Sequence, residues 1–132
     1  MSFDAMLARG RDGLVGLVDV RFPDPAAEPL VGTLEVTERV MAPHGFLHGG
    51  TVVALADTVC GYACWRGLPD DATGFATVDL SANFTGTARE GTVTCTATRL
   101  HGGRSTEVWD ARVEDASGRV IAVFRCTQMI LR

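Results

Sequence analysis

The stretch Thr51-Val-Val-Ala-Leu-Ala-Asp57-Thr-Val-Cys60-Gly-Tyr-Ala-Cys64-Trp-Arg66, closed by Gly67 and Pro69, decides the fold. Its length, its alanines and its Gly/Pro stop predict a helix of about four turns, roughly 24 Å long. The stretch is apolar nearly all round, which predicts a helix buried on most sides. Downstream the period changes. Residues 75–84, 91–100, 105–114 and 119–131 read as strands, with Thr92, Thr94, Thr96 and Thr98 alternating against Val93, Cys95 and Ala97. Gly86 to Gly91, His101-Gly102-Gly103 and Asp115-Ala116-Ser117-Gly118 carry turn chemistry, and such short connections predict antiparallel hairpins. Upstream, residues 31–40 read as a strand in which Leu34 and Val36 oppose Glu35 and Thr37. Ala42-Pro43-His44-Gly45 breaks it. A strand, one long buried helix and four more strands predict an α+β architecture, a curved five-stranded antiparallel sheet wrapped around one central helix. One such sheet does not cover the helix completely, so a second copy of the chain is expected to cover the rest.

The 132 residues are one domain's worth of chain. The first thirty are the least legible. Ser2 to Ala8 predicts a short helix with Ser2 or Asp4 near its start, Leu14 to Phe22 is compatible with helix or strand, and Pro23, Pro25 and Pro29 force a non-helical connection. All twelve basic residues are arginine, so a Schiff-base, P-loop or general-base lysine is excluded. The net charge of −4, with no basic cluster, argues against nucleic acid as a partner. The amino end lacks a basic start followed by a long apolar run, so no signal peptide is expected. Residues 46–65 are too polar for a membrane span, and a cytoplasmic protein is the expectation. Cys60, Cys64, Cys95 and Cys126 lack CxxC spacing and read as reduced core thiols.

Asp57 is the one charged residue between Thr51 and Trp65. A carboxylate in an apolar helix is costly to desolvate, so it must be hydrogen-bonded, neutralised or put to use. His48-Gly49-Gly50 stands at the mouth of the same helix. Adjacent glycines let a ligand approach the backbone, and the first helical turn offers free N–H groups and the positive end of the dipole. That combination suits the polarisation of a carbonyl oxygen. A plain turn into the helix is the simpler reading of Gly49-Gly50. Asp57 follows Gly49 by eight residues, roughly 12 Å along the axis, and a thioester fits between the amides and the carboxylate. His44 and His48 have the i,i+4 spacing of some zinc sites, but Pro43, Gly45 and the following glycines oppose a helix there, and no metal is expected. A His48–Asp57 acid–base pair and a His48 that only anchors the loop both remain open. Arg104, Ser105 and Thr106, after Gly102-Gly103, offer a guanidinium and hydroxyls suited to a phosphate, or a solvated β-turn.

The segment Gly45-Phe-Leu-His48-Gly-Gly-Thr-Val-Val-Ala-Leu-Ala-Asp57-Thr resembles the signature of the hotdog-fold acyl-CoA thioesterases of the PaaI-like, phenylacetate-degradation group. Thr77-Val-Asp-Leu-Ser-Ala-Asn-Phe, Gly102-Gly-Arg-Ser-Thr and Gly118-Arg-Val-Ile-Ala resemble its later segments. The resemblance implies a hotdog fold and hydrolysis of an acyl-CoA or aryl-CoA thioester without a cofactor. It implies that Asp57 is nucleophile or general base, that the Gly49 N–H polarises the thioester carbonyl, that His48 supports it, and that Thr77 places the attacking water. It further implies a site between subunits of a dimer or dimer of dimers, with Asp57 and Thr77 drawn from different chains. Gly50 and His44 are expected near the substrate, Arg104, Ser105 and Thr106 near the CoA nucleotide, and the acyl group in an apolar tunnel along the helix. Many members carry Asn or Gln six residues before the histidine; here that position is Ala42, with His44 close by. Two other readings stand beside this one, a hotdog-fold enoyl-CoA hydratase or dehydratase and a non-catalytic acyl-CoA binding protein.

Overall fold

In the computed structural model, which describes residues 1–132, the chain forms the helices α1 (Phe3–Gly10) and α2 (Leu14–Leu17), strand β1 (Val31–Glu35), helix α3 (Gly49–Arg66) and strands β2 (Gly74–Phe84), β3 (Thr92–Gly102), β4 (Thr106–Glu114) and β5 (Val120–Leu131). The five strands make one antiparallel sheet in the order β1-β3-β4-β5-β2. The sheet curls around α3 as the alternation predicts. Val93, Cys95 and Ala97 of β3, Trp109, Ala111 and Val113 of β4, and Phe124, Cys126 and Ile130 of β5 all point inward and are buried. Against them α3 buries Val52, Leu55, Ala56, Val59, Cys60 and Cys64. Burial of such side chains contributes about 25 cal/mol per Å² of apolar surface and holds the helix in the sheet's concave face.

Two expectations are corrected. The 86–91 connection is not a hairpin: β2 pairs with β5 and β3 with β1, so the chain crosses from one edge of the sheet towards the other. On the way it passes the start of α3, where the Leu47 N–H donates to the Ala88 carbonyl at 2.8 Å and Ala88 is buried. The strand read over 31–40 stops at Glu35. Glu38–Val40 then form a single 3₁₀ turn. That turn brings the buried Val40 to the start of α3, where its carbonyl accepts from the His48 N–H at 3.0 Å and the Thr51 hydroxyl at 2.9 Å. The central helix begins at Gly49, two residues before the apolar run, because His48 caps it.

The amino-terminal thirty residues resolve into both of the forms left open. Ser2 caps α1 through its hydroxyl, which accepts from the Ala5 N–H at 3.1 Å. Leu14–Leu17 make one helical turn, and Arg21 then pairs antiparallel with Thr33 of β1. One stripe of α3 escapes cover by the sheet: Val53, Ala54, Asp57 and Thr58, with Trp65 two turns further on, are half-buried along a single face. All four cysteines are free and buried, and burial pushes the Cys95 thiol up to about 12, so these thiols pack as small core residues. No helix is long and apolar enough to cross a membrane.

Candidate active site

The helix start is built by the chain's own backbone. His48 stands at the N-cap in extended conformation, and its Nδ1 accepts a hydrogen bond from the Gly50 N–H at 2.7 Å. The Thr51 and Val52 N–H groups donate to the His48 carbonyl. Of the amides in this first turn, the Gly49 N–H alone has no partner in the chain. Gly50, expected among the substrate contacts, has its N–H committed to His48 instead. The same bond occupies His48 Nδ1, which removes the His48–Asp57 acid–base pair through that nitrogen and favours the loop-anchoring role.

The free amide opens on a cavity of about 370 Å³ whose walls include Ala42, His44, Phe46, His48, Gly49 and Phe84. His44 stacks at a tilt on Phe46, with ring centroids 4.1 Å apart. The half-exposed Phe84 ring lies over Gly49 so closely that a Cβ there would sit 3.2 Å from the ring's Cζ. Glycine at 49 therefore keeps a narrow approach to the N–H open. Ala42, His44, His48 and Gly49, neighbours in sequence, stand together in this wall, and Phe84 joins them from the end of β2.

Asp57 is elsewhere. It does not line this cavity, and eight residues of helix separate it from Gly49 by about 12 Å of rise and about 80° of rotation. A thioester held by Gly49 is thus out of reach of the same chain's Asp57, which corrects the expectation that one chain's amides and carboxylate flank the substrate. The expected split of Asp57 and Thr77 between chains is corrected too. Within one chain the Thr77 hydroxyl oxygen on β2 lies 3.2 Å from Asp57 Oδ1 and 2.8 Å from Gln128 Oε1 on β5. Half-buried in the uncovered stripe of α3, the Asp57 carboxyl is pushed above the usual carboxylate value by burial, a rise that the Thr77 hydroxyl opposes only when its single proton is donated to the carboxylate.

Gln128 was missed from the sequence, although a signal was present. It occupies an inward position of β5 between Cys126 and Ile130 and is fully buried, the one polar side chain in that inward row. A polar residue in an apolar alternation needs a partner, and Thr77 is the residue paired with it across β2 and β5.

Arg104, Ser105 and Thr106 do not join the cavity of their own chain. Arg104 and Ser105 lie in the β3–β4 turn and Thr106 opens β4, and the Ser105 carbonyl accepts from the Ile130 N–H at 2.8 Å. Ile121, in the cavity wall, is nine residues back along β5, about 30 Å away at strand rise.

A half-buried carboxyl beside a hydroxyl suits base or nucleophile chemistry, and a free amide at a helix start suits stabilisation of an oxyanion. Comparison with known proteins agrees with such chemistry. A family model described as "Thioesterase superfamily" matches residues 44–122, a span that holds all of the cavity wall but Ala42, together with Asp57 and Thr77. The chain is 34% identical over 134 residues to the 1,4-dihydroxy-2-naphthoyl-CoA hydrolase of Escherichia coli, covering 99% of this chain and 96% of that protein. Its fold is similar to that of a thioesterase from Haemophilus influenzae, with a TM-score of 0.91 at 26% identity over 100% of this chain and 92% of the other. It is also similar to the E. coli PaaI protein of the phenylacetic acid degradation operon. There the TM-score is 0.83 at 24% identity, over 97% of this chain and 91% of the other, a likeness of fold.

Proposed function

The chain belongs to the thioesterase superfamily and is a thioester hydrolase, and we propose that it cleaves aryl- or acyl-CoA thioesters in a site shared between two copies. The observation that carries this reading is the unpartnered Gly49 N–H at the positive end of an 18-residue helix, opening on an apolar, aromatic-walled cavity. The thioester carbonyl oxygen accepts from Gly49, and negative charge that develops there in the transition state is stabilised by that amide and the helix dipole. The Asp57 carboxylate approaches the carbonyl carbon from the second copy. It either attacks directly, giving an anhydride that water then opens, or takes a proton from water as the water adds. The C–S bond breaks, and the products are the free acid and CoA as thiol.

Support for two copies comes from reach and from surface. Gly49 and Asp57 of one chain are too far apart to meet one carbonyl. The uncovered stripe of α3 that holds Asp57 lies beside edge strand β2, where Val78, Leu80 and Phe84 are exposed. An edge strand of eleven residues with apolar side chains is a surface that a second copy covers. A dimer, alone or paired into a dimer of dimers, is the assembly this reading requires.

The aromatic lining of His44, Phe46 and Phe84, together with the likeness to a hydrolase of a bicyclic aryl-CoA, favours aryl over straight-chain substrates. Thiol release from benzoyl-, phenylacetyl-, 1,4-dihydroxy-2-naphthoyl- and straight-chain acyl-CoAs tests this. Turnover with a higher kcat/KM for the aryl esters supports the reading. Tight binding of the esters with no thiol released contradicts it and favours a non-catalytic binder.

A further inference from the structure

We propose that Gln128 is a positioning residue for the site, holding the Thr77 hydroxyl proton and so deciding when Thr77 serves Asp57. The inference rests on the reading of Asp57 as the working carboxylate, and it comes from counting protons. Thr77 has one hydroxyl proton and two acceptors in reach, Gln128 Oε1 at 2.8 Å and Asp57 Oδ1 at 3.2 Å. The orientation of the Gln128 amide is set from behind, because its Nε2 donates to Cys126 Sγ at 3.3 Å. That leaves Oε1 facing Thr77.

Gln128 is sealed from solvent, and Thr77 is the only side chain that donates to its Oε1. If Thr77 turned its proton to Asp57, that oxygen would be left without a donor inside the core. With the proton on Gln128, the 3.2 Å contact to Asp57 is a good hydrogen bond only when the Asp57 carboxyl itself carries a proton and donates it to Thr77. Gln128 therefore favours the neutral form of Asp57 and makes its ionised form a stronger base. The other groups around Asp57 do not compete. No ion pair involves it, and its titratable neighbours are the thiols of Cys60 on α3 and Cys126 on β5.

The test is a carboxyl titration of the full chain labelled with ¹³C at the aspartate side chains, with Asp57 assigned from Asp57→Asn. Gln128→Met, of similar shape and without the amide, frees the Thr77 proton for Asp57. The Asp57 midpoint is expected to fall by about one pH unit, with the acid limb of kcat/KM moving the same way. In a Thr77→Val background the same change is expected to shift nothing, which separates action through Thr77 from loosened packing. Thr77→Val alone is expected to leave the midpoint unmoved or lower, because the neutral carboxyl loses its acceptor. An unmoved midpoint in Gln128→Met, an equal shift without the Thr77 hydroxyl, or a rise in Thr77→Val overturns the proposal. Thr77→Val decides the matter if Gln128→Met does not fold. A protein whose Asp57 titration shifts as expected but which hydrolyses no thioester sinks the functional reading and leaves this one standing.

Discussion

The His48 imidazole and the Gly50 N–H are joined at 2.7 Å, and that bond leaves the neighbouring Gly49 amide as the one open donor at the start of α3. His48→Ala removes the cap and is expected to cost about 1 kcal/mol of stability. The Gly50 N–H then competes with Gly49 for the carbonyl, so kcat falls as well. His48→Asn, whose side chain caps helices well, is expected to recover most of the stability. Urea unfolding monitored by circular dichroism, beside thiol release, checks both parts.

Gly49 is the first residue of the helix, the position where proline is tolerated best. The extended conformation of His48 also suits a residue that precedes proline. Gly49→Pro thus removes one N–H with little harm to the fold, provided the half-exposed Phe84 ring yields a few tenths of an ångström. The unfolding midpoint is expected to stay near that of the parent. The rate constant is expected to fall by about 10²–10³, the cost of one oxyanion donor.

Burial holds the Asp57 carboxyl above the ordinary aspartate value, and both activity and stability follow. Activity needs the carboxylate, so the acid limb of kcat/KM is expected above the unperturbed value of about 3.9. For stability the sign is the reverse of a salt-bridged aspartate. The folded state binds the proton more tightly, so the contribution is fully present below the unfolded value and is lost as pH rises through the folded one. Asp57→Asn, neutral throughout, is therefore expected to be more stable than the parent at pH 7, with the gap closing towards pH 3. Thermal unfolding at several pH values reads the difference.

The exposed side chains of edge strand β2 carry the expected association. Light scattering is expected to give a mass of about 28 kDa or a multiple of it, since the chain is 14.0 kDa. Leu80→Asp, on the exposed part of β2, is expected to shift the population to monomer and to lower kcat/KM in proportion. A monomeric variant with undiminished turnover would count against a shared site.

The helix was legible because sixteen residues of apolar sequence end in Gly67 and Pro69, and the inward rows of β3, β4 and β5 because period-two alternation survives folding. The sheet order was not. Nothing in the turn chemistry of Gly86 to Gly91 distinguishes a hairpin from a crossing, and the choice is made by pairing partners distant in sequence. His48, Gly49 and Asp57 stood out for their chemistry, yet spacing along a helix does not say which copy of the chain a group serves. Thr77 was found through resemblance alone. Gln128 is not legible as a site residue, because a single polar residue in a strand points to no partner until its neighbours across the sheet are known.

Mixing Gly49→Pro with Asp57→Asn tests the shared site most directly. Each variant alone is expected to be nearly inactive. After the two are unfolded and refolded together, half the dimers are mixed, and one site of each mixed dimer joins an intact Gly49 from one copy to an intact Asp57 from the other. About a quarter of the parent rate is expected to return. Inactivity of the refolded mixture, with mixed dimers shown to be present by mass, would contradict it and place both groups of each site on one chain.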